Sequence, residues 1–213
     1  MKIGAFTKTY EGRKVLDFPG AELICGTVTA VIGANGSGKS TFAKVLSGIT
    51  PADAAGRILP DGISCGYMPQ KSYAFQMSVW KNILLNGRSV EKAEELLQRL
   101  DLAALMNAGG KTLSGGETAR MALARILMKH YDLLILDEPC ASMDMRSTIA
   151  SEQLIAEYAK KENAAVLLIT HSLAQAERTA SDLLFFDEGK LCDDPGKKEE
   201  YFRFYGSEKR EAL

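Results

Sequence analysis

Two features that would place this chain in a specialised class are absent: a long apolar run and an excess of charge of one sign. No apolar stretch approaches the roughly 20 residues that a bilayer span needs. The chain has 26 Lys and Arg against 27 Asp and Glu. It therefore has no overall basic field to attract nucleic acid or an anionic membrane. We expect a soluble intracellular protein that reaches a membrane only through a partner and binds no nucleic acid.

Cysteine is scarce as well, and its spacing excludes two further classes. The four cysteines are scattered and form no C-x-x-C pair, which argues against a zinc site or a disulfide framework and fits a reducing cytosol. No internal repeat or low-complexity tract is present. With 213 residues, 46% hydrophobic and 25% charged, the chain is an ordinary globular protein of one domain, or one domain plus a small subdomain.

Hydrophobic patterning predicts strands that alternate with helices. Short strands are expected in the first thirty residues, and the stretch 72–129 is mainly helical. Further strands are predicted at 28–32, 63–68, 133–136, 165–169 and 183–186, and helices at 39–46, 90–100, 113–127, 146–161 and 173–179. This alternation favours an α/β fold with a mainly parallel sheet. After Lys197 we expect a short helix docked by its aromatic face (Tyr201, Phe202, Phe204 and Tyr205), followed by a frayed end at 207–213.

A phosphate loop is predicted at 33–40, where Gly-Ala-Asn-Gly-Ser-Gly-Lys-Ser matches G-x-x-x-x-G-K-[ST] in full. An apolar strand precedes the segment and a helix follows it, as the motif requires. Glycines let the backbone wrap the phosphates, and N–H groups at the helix start face the negative charge. Lys39 would neutralise the β and γ phosphates, and the Ser40 hydroxyl would ligate Mg²⁺. The segment therefore predicts a nucleotide site rather than a chance glycine-rich turn.

Two carboxylates, Asp137 and Glu138, end the apolar strand at 133–136. In a doubly wound sheet, ligands bind at the carboxyl ends of the strands. Asp137 can reach a metal through its shell of water, and Glu138 can orient the water that attacks the γ-phosphate or take its proton. Acidic residues often end strands for structural reasons alone. Beside a phosphate loop, however, the pair predicts phosphate chemistry.

The signature segment, Leu-Ser-Gly-Gly-Glu at 113–117, narrows the prediction to a family. Ser114 and Glu117 have the spacing of a helix capping box, which accounts for those two residues but not for the double glycine. The segment resembles the signature motif of ATP-binding-cassette (ABC) ATPases, usually written L-S-G-G-Q. In that family the motif begins a helix that points at the γ-phosphate held by the opposite subunit. The resemblance therefore implies that Ser114, Gly115 and Gly116 bind nucleotide across a dimer interface.

Four further positions match the ABC family in order and spacing. Tyr10 lies where the family places an aromatic ring against adenine. Gln70 lies where a glutamine senses Mg²⁺ and the attacking water, at the junction with the helical subdomain. The segment 140–144 corresponds to the loop that crosses the dimer interface, and His171 occupies the switch-histidine position beside the γ-phosphate. Each of these residues alone could have a purely structural role, but their joint order identifies the chain as a member of the family.

Several positions depart from the family pattern. Glu117 replaces the usual Gln of the signature, and Ala119 replaces the Gln that commonly precedes the following Arg. Cys140 stands in place of a common Thr, Ala141 in place of a frequent Ser, and Met143 in place of a frequent Leu. None of them removes a group with a predicted chemical role, so hydrolysis is still expected. Their effect is expected at the dimer interface.

The resemblance implies a P-loop NTPase fold: an α/β core with a mainly parallel sheet, a small N-terminal antiparallel β region and an inserted helical subdomain. A single ABC ATPase domain is expected over 1–213. Its nucleotide-binding core would comprise 1–70 and 119–213, and its helical signature subdomain 71–118. The stretch 40–70 is short for the family, so the antiparallel region is expected to be trimmed.

The resemblance also implies the site, its cofactors and its partners. ATP and Mg²⁺ are the expected cofactors, with the nucleotide at the interface of a homodimer or a pair of related subunits. Separate transmembrane permease subunits are the expected partners, so the chain would be cytoplasmic and peripheral on the inner face of the cell membrane. The implied site residues are Glu138, His171 and Gln70 for catalysis, Ser40, Gln70 and Asp137 for the metal, and Tyr10, Gly33, Ala34, Asn35, Gly36, Ser37, Gly38, Lys39, Ser40, Thr41, Ser114, Gly115 and Gly116 for the nucleotide.

The leading hypothesis is an ATPase subunit that energises a separate permease. Two alternatives share the family. ATPases of chromosome maintenance or repair often carry Leu-Ser-Gly-Gly-Glu, but they place a long coiled coil between phosphate loop and signature, and no sustained heptads occur here. Soluble translation or resistance factors usually fuse two cassettes in one chain, and this sequence has one.

Two segments bear on what such a permease would be. The segment 73–80 is aromatic and Met-rich, so it either packs in the core or offers a groove to a coupling helix of the permease. The segment 171–178, followed by Phe185, Phe186 and Gly189, resembles the same region of phosphate and tungstate import ATPases. Oxyanion import is therefore a hypothesis, although the ATPase subunit does not normally touch the cargo.

Overall fold

The computed structural model describes residues 1–207, in which strands and helices alternate as predicted. The strands are β1 (Lys2–Ile3), β2 (Phe6–Tyr10), β3 (Arg13–Phe18), β4 (Ala21–Glu22), β5 (Val28–Ile32), β6 (Ala54–Ala55), β7 (Cys65–Met68), β8 (Leu133–Asp137), β9 (Ala165–Ile169), β10 (Asp182–Asp187) and β11 (Lys190–Leu191). The α-helices are α1 (Lys39–Leu46), α2 (Val79–Ile83), α3 (Val90–Arg99), α4 (Gly115–Leu127), α5 (Met145–Glu162), α6 (Leu173–Thr179) and α7 (Pro195–Ser207). Within 1–207, no helix has both the length and the apolar character needed to span a bilayer.

Parallel strands form the centre of the main sheet, in the order β10-β5-β9-β8-β7. Every residue of β5, β8 and β9 is buried, as expected when helices cover both faces of a sheet. Side chains alternate between the faces: Leu134 and Leu136 pack with α3, α4 and α5, whereas Leu133 and Ile135 pack with α1. The predicted α/β fold is confirmed, and the strands' carboxyl ends meet at one edge.

An antiparallel region flanks this parallel core on one side. Strand β2 pairs antiparallel with both β3 and β6, and β3 joins the core through β11. Strands β1 and β4 form a separate two-stranded sheet. Strand β6 has only two residues, which agrees with the predicted trimming of this region.

A helical layer lies between β7 and β8 in the chain and comprises α2, α3 and α4. Buried Leu96 and Leu97 of α3 join the core cluster that covers one face of the sheet. The Arg99 guanidinium donates two hydrogen bonds, of 2.6 and 2.8 Å, to the Glu157 carboxylate on α5. Apolar packing and this ion pair thus join the layer to the core. The subdomain boundary at 71–118 stays a prediction.

The C-terminal helix α7 docks through part of its aromatic face only. Tyr201 is 7% exposed and its ring lies 5.2 Å from that of Phe185, while Phe202 is partly buried in the same cluster. Phe204, by contrast, is 64% exposed, so the prediction that it docks is wrong. Its ring lines an open groove that also contains charged Asp187, so most of the ring stays in contact with solvent. The Tyr205 side chain and the predicted frayed end, apart from Ser207, lie outside the described structure.

Candidate functional site

The phosphate loop joins β5 to α1 in a conformation that needs glycine. Gly33 and Gly38 have φ angles of 149° and 99°, values that L side chains rarely adopt. A Cβ at Gly33 would lie 2.1 Å from the carbonyl oxygen of Phe186. The apex of the loop at Asn35 is exposed. The apex and the first turn of α1 therefore present their N–H groups where an anion can reach them.

The Lys39 side chain is folded back onto this loop. Its Nζ atom donates hydrogen bonds to the carbonyl oxygens of Gly33 (2.8 Å) and Ala34 (2.9 Å). The residue is 7% exposed. Burial lowers the pKa of the Lys39 ammonium, while the nearby carboxylates of Glu138 and Asp137 act in the opposite direction. The loop thus holds its own cation beside the two carboxylates.

Asp137 is buried at the end of β8, where two hydroxyl groups face its carboxylate. Ser40 Oγ lies 3.4 Å from Oδ1, and the Tyr67 hydroxyl donates to Oδ2 at 3.2 Å. Burial raises the pKa of the Asp137 carboxyl, and these two hydrogen bonds oppose that rise in part. Two of the three predicted metal ligands, Ser40 and Asp137, thus lie together, whereas Gln70 has no described contact with either residue. Their role as metal ligands stays a prediction.

Ser40 and Asp137 fit a magnesium ion better than a metal held entirely by protein. Within residues 1–207, no group of three or more His, Cys, Asp or Glu side chains could hold a metal ion. Magnesium prefers oxygen ligands and usually takes only one or two from protein, with water and phosphate supplying the rest. A hydroxyl and a carboxylate oxygen 3.4 Å apart beside a phosphate loop suit such a cation.

The Glu138 carboxylate is contacted on both of its oxygens. Gln70 Nε2 donates a hydrogen bond of 2.9 Å to Oε2, and His171 Nδ1 lies 3.4 Å from Oε1. The backbone of Glu138 has a φ of 49°, because the chain turns sharply where β8 ends. The side chain remains 14% exposed. Glu138 therefore sits between an amide and an imidazole while still open to water.

Sheet order explains why these three residues meet. Gln70 follows β7, Glu138 follows β8 and His171 follows β9, and these strands are neighbours in parallel register. Residues placed just after neighbouring parallel strands reach the same edge of the sheet. The three predicted catalytic residues are thus brought together, and their roles stay predictions.

The signature segment lies across a cleft from this group. Ser114 caps α4: its Oγ accepts from the Glu117 N–H, and the Glu117 side chain accepts from the Ser114 N–H, which completes a capping box. A cleft of about 470 Å³ separates Gly115 from Gln70 and Glu138. None of the residues that line this cleft belongs to the phosphate loop. Within one chain, the signature segment and the phosphate loop therefore do not form one site.

Two other predicted nucleotide contacts lie at the margins of the site. Tyr10 is 45% exposed at the turn between β2 and β3, with the Lys8 ammonium 5.4 Å from its ring centre. Such an exposed ring is free to stack on a base, but no described contact joins Tyr10 to the phosphate loop. Thr41 is half-buried in the first turn of α1.

One residue at the site, Tyr67, escaped the sequence analysis, and the contact of a second, Ser142 of the predicted interface segment 140–144, was not foreseen. Tyr67 reaches Asp137 because β7 pairs with β8, and the only signal in the sequence was a tyrosine within a predicted strand. Ser142 lies against the signature: a Cβ on Gly116 would meet its carbonyl oxygen at 2.7 Å. That approach explains the second glycine of the signature, and it depends on a tertiary contact that no local pattern reveals.

Comparison with known proteins places this geometry in a family. The family model described as ABC transporter matches residues 20–141, more than half of the chain. An aliphatic sulfonates import ATP-binding protein of Pseudomonas fluorescens is 34% identical over 190 residues, covering 88% of this chain and 73% of that protein. A tungstate uptake system ATP-binding protein of Peptoclostridium acidaminophilum is 35% identical over 204 residues, covering 89% of this chain and 95% of that protein.

A third relative is named for a different cargo, and a solved structure has the same fold. The zinc import ATP-binding protein of Vibrio cholerae is 32% identical over 212 residues, covering 96% of this chain and 81% of that protein. A solved ATP binding subunit of an ABC transporter superposes with a TM-score of 0.80 at 22% identity, covering 97% of this chain and all of that one. These comparisons favour the transporter hypothesis over chromosome maintenance or translation. The chain belongs to the ABC transporter family, as an ATP-binding subunit with ATPase activity.

Proposed function

We propose that two copies of this chain close head to tail around two MgATP molecules and that their hydrolysis energises import through a separate permease. The observation that carries this proposal is the row of Gln70, Glu138 and His171 across three neighbouring strand ends, beside Lys39 of the phosphate loop. This row supports the proposal because a carboxylate, an amide and an imidazole are groups that can orient an attacking water and contact a γ-phosphate.

Each group of the row has a distinct proposed role. Glu138 orients the attacking water and accepts its proton, because its carboxylate stays open to solvent at the end of β8. Gln70 and His171 hold that carboxylate in place and can turn toward water and γ-phosphate once nucleotide is bound. Ser40 and Asp137 would hold Mg²⁺, which neutralises phosphate charge when bound.

A two-chain site follows from the position of the signature segment. The N-terminus of α4 favours an anion because its N–H groups and helix dipole carry partial positive charge. In one chain this helix start opens onto the cleft beside Ala141 and Ser142, away from the phosphate loop. A head-to-tail pair related by a two-fold axis would bring each signature to the partner's nucleotide. Tyr10 would stack on the adenine of its own chain's nucleotide.

The permease would dock in a groove beside β7 and α4. The groove has a volume of about 410 Å³ and includes Tyr73, Phe75 and Leu85, whose side chains are 52%, 40% and 50% exposed. Among residues 1–207, Arg125 is the only charged residue in the lining, and its guanidinium lies 5.0 Å from the Tyr73 ring. This surface suits an apolar helix with an acidic residue. Such docking would place the chain on the inner face of the membrane.

Docking can be tested by copurification with the permease. Phe75→Glu should weaken retention because it puts a carboxylate into the apolar lining. Ile24→Glu alters a side chain that is 59% exposed and does not line the groove, so it should copurify like the wild type. Equal retention of the two variants would exclude this groove as the docking site.

Oxyanions are the proposed cargo class. Relatives that import sulfonates and tungstate support it, since both cargoes present negatively charged oxygens, and the zinc importer provides the competing class. In liposomes containing the permease and its binding protein, ATPase activity should rise with an alkanesulfonate or tungstate. Stimulation by Zn²⁺ alone would contradict the proposal.

The nucleotide site is tested by one pair of lysine variants. Lys39→Ala should weaken MgATP binding by at least about tenfold, because hydrogen bonds to charged groups contribute about 1.5–3 kcal/mol each. Lys44→Ala removes an exposed lysine from the last turn of the same helix and should bind as the wild type does. Equal affinity of both variants for MgATP would contradict the site.

A further inference from the structure

The C-terminal helix reaches the phosphate loop through a single hydroxyl group. The Tyr201 hydroxyl donates a hydrogen bond of 3.2 Å to the carbonyl oxygen of Gly33, 168 residues earlier in the chain. Both groups are buried. The motif that defines the loop does not include this tyrosine, and no role proposed above uses it.

The same carbonyl oxygen is also a hydrogen-bond acceptor for Lys39. Lys39 Nζ lies 2.8 Å from Gly33 O, and within residues 1–207 Lys39 and Tyr201 are the donors described for that oxygen. An ammonium group has three protons, and those of Lys39 face Gly33 O, Ala34 O and, at 3.5 Å, Ser37 Oγ. Each hydrogen bond that Lys39 gives to a phosphate is therefore withdrawn from the loop. The neighbouring Ala34 carbonyl keeps a donor in that event, because the Ser37 N–H lies 3.1 Å from it.

Gly33 has no such local replacement. Its carbonyl is buried, and a buried carbonyl without a donor costs the free energy of its lost solvation. The Tyr201 hydroxyl is already in place to keep this oxygen paired. While Lys39 lies on the loop, the carbonyl has two described donors, so Tyr201 matters most after Lys39 has turned toward a phosphate.

We propose that Tyr201 is a positioning residue for nucleotide binding: it pairs the Gly33 carbonyl and thereby lowers the cost of moving Lys39 onto the phosphates. The inference rests on the proposed nucleotide site at Lys39. It extends the ATP site to a helix whose residues lie outside the segment matched by the family model.

The contacts of α7 with the sheet hold the Tyr201 hydroxyl in place as a hydrogen-bond donor. The Tyr201 ring packs against Phe185 with centroids 5.2 Å apart, next to buried Ala30 and Ile32 of β5. Near the start of α7, the Lys197 ammonium pairs with the Asp187 carboxylate at the end of β10. Ring packing and ion pair thus hold α7 against β10, which is paired with the strand that leads into the phosphate loop.

Tyr201→Phe isolates the hydroxyl because it keeps the ring and its packing. The variant should bind MgATP about two- to tenfold more weakly, the range that one hydrogen bond accounts for. Its kcat at saturating ATP should match that of the wild type, since the described hydrogen bond of this hydroxyl goes to Gly33 and not to a residue proposed for catalysis. Phe202→Leu, which changes a partly buried ring of the same cluster but no hydroxyl, should keep wild-type affinity. Wild-type affinity in Tyr201→Phe, or an equal loss in Phe202→Leu, would overturn the inference.

A nucleotide-free measurement separates this inference from the proposed function. Lys39→Met fills the space of the lysine stem but leaves Tyr201 as the described donor to Gly33. Tyr201→Phe should therefore lower the melting temperature more in a Lys39→Met background than in the wild type. Equal decreases in the two backgrounds would show that the carbonyl is not shared. Failure of Lys39→Ala to weaken MgATP binding would instead contradict the nucleotide site itself.

Discussion

Gln70 Nε2 donates a hydrogen bond of 2.9 Å to Oε2 of Glu138, so the connection that leads into the chain's helical layer contacts the proposed catalytic carboxylate. Gln70 belongs to the connection that leads from β7 into α2, whereas Glu138 ends β8. A shift of the helical layer would therefore move the amide relative to the carboxylate. This contact gives the proposed permease groove, which shares that connection, a physical route to the site of hydrolysis.

Glu138→Gln should bind MgATP with normal affinity but hydrolyse it about 10²- to 10⁴-fold more slowly, because an amide cannot accept the water's proton. Since the proposed closed pair depends on the γ-phosphate, slow hydrolysis should also trap it. Size-exclusion chromatography should then show a dimer with ATP that ADP does not support.

Glu177→Gln is the matched control, since Glu177 is exposed on α6 away from the strand ends. It should hydrolyse ATP at the wild-type rate. If Glu138→Gln kept near-normal turnover, the water would have to be activated by another group, and Gln70 and His171 would be examined next.

Ser114→Arg should leave MgATP binding by the free chain intact yet suppress hydrolysis, because the signature segment is proposed to act on the partner's nucleotide. The change also removes the cap of α4, which typically costs about 0.5–2 kcal/mol. Ser89→Arg is the matched control: Ser89 caps α3 in the same way, with its hydroxyl accepting from Lys92 N–H. It should lose a similar stability and keep its turnover.

The two effects are separated by measuring affinity, turnover and melting temperature for both serine variants. Loss of MgATP binding by Ser114→Arg alone would contradict the assignment of the signature to the opposite subunit. Equal loss of turnover in the two variants would mean that Ser114 acts only as the cap of α4 and not at the partner's nucleotide.

The parts of the site that local pattern encodes were predictable from the sequence. The phosphate loop and the pair Asp137 and Glu138 are such parts, because each follows an apolar strand directly and sheet geometry then fixes its edge. Tyr67 and Tyr201 were not predictable as site residues. Their hydroxyls reach Asp137 and Gly33 through strand pairing and helix docking across 70 and 168 residues, and a partner that distant leaves no periodic trace.

Glu117, which replaces the usual Gln of the signature, adds a negative charge whose effect on dimer formation can be measured. The backbone N–H of Ser114 hydrogen-bonds this carboxylate and lowers its pKa, so it is charged at neutral pH and lies at the helix start that would face phosphate. Glu117→Gln keeps the capping box, since glutamine serves equally at that position. The variant should form the ATP-dependent dimer about two- to fivefold more tightly per site, the size of one charge at a helix terminus.

Salt dependence distinguishes this electrostatic effect from a packing change. In a Glu138→Gln background, the gain from Glu117→Gln should be largest at low salt and should vanish near 1 M salt, where the Debye length is about 3 Å. Glu94→Gln, an exposed change on α3, should give no gain at any salt concentration. A gain that persists at high salt would mean that the carboxylate's shape, and not its charge, opposes closure.

In the absence of nucleotide, Asp137→Asn should become increasingly more stable than the wild type as the pH rises. The variant should also lose the response to Mg²⁺. Burial holds the pKa of Asp137 above its ordinary value, so this carboxyl favours the folded state below its unfolded pKa and loses that contribution as it ionises. Asparagine does not titrate, so the stability of the variant relative to the wild type should grow from about pH 4 toward neutrality. A difference of about 1 kcal/mol corresponds to a shift in melting temperature of about 2–4 °C in a chain of this length. Asp144→Asn is a control of opposite sign, because the Ser147 N–H lowers the pKa of this cap of α5, so its relative stability should improve as the pH falls. Melting curves at several pH values check both trends, and a pH-independent difference for Asp137→Asn would contradict a buried, ionised carboxylate.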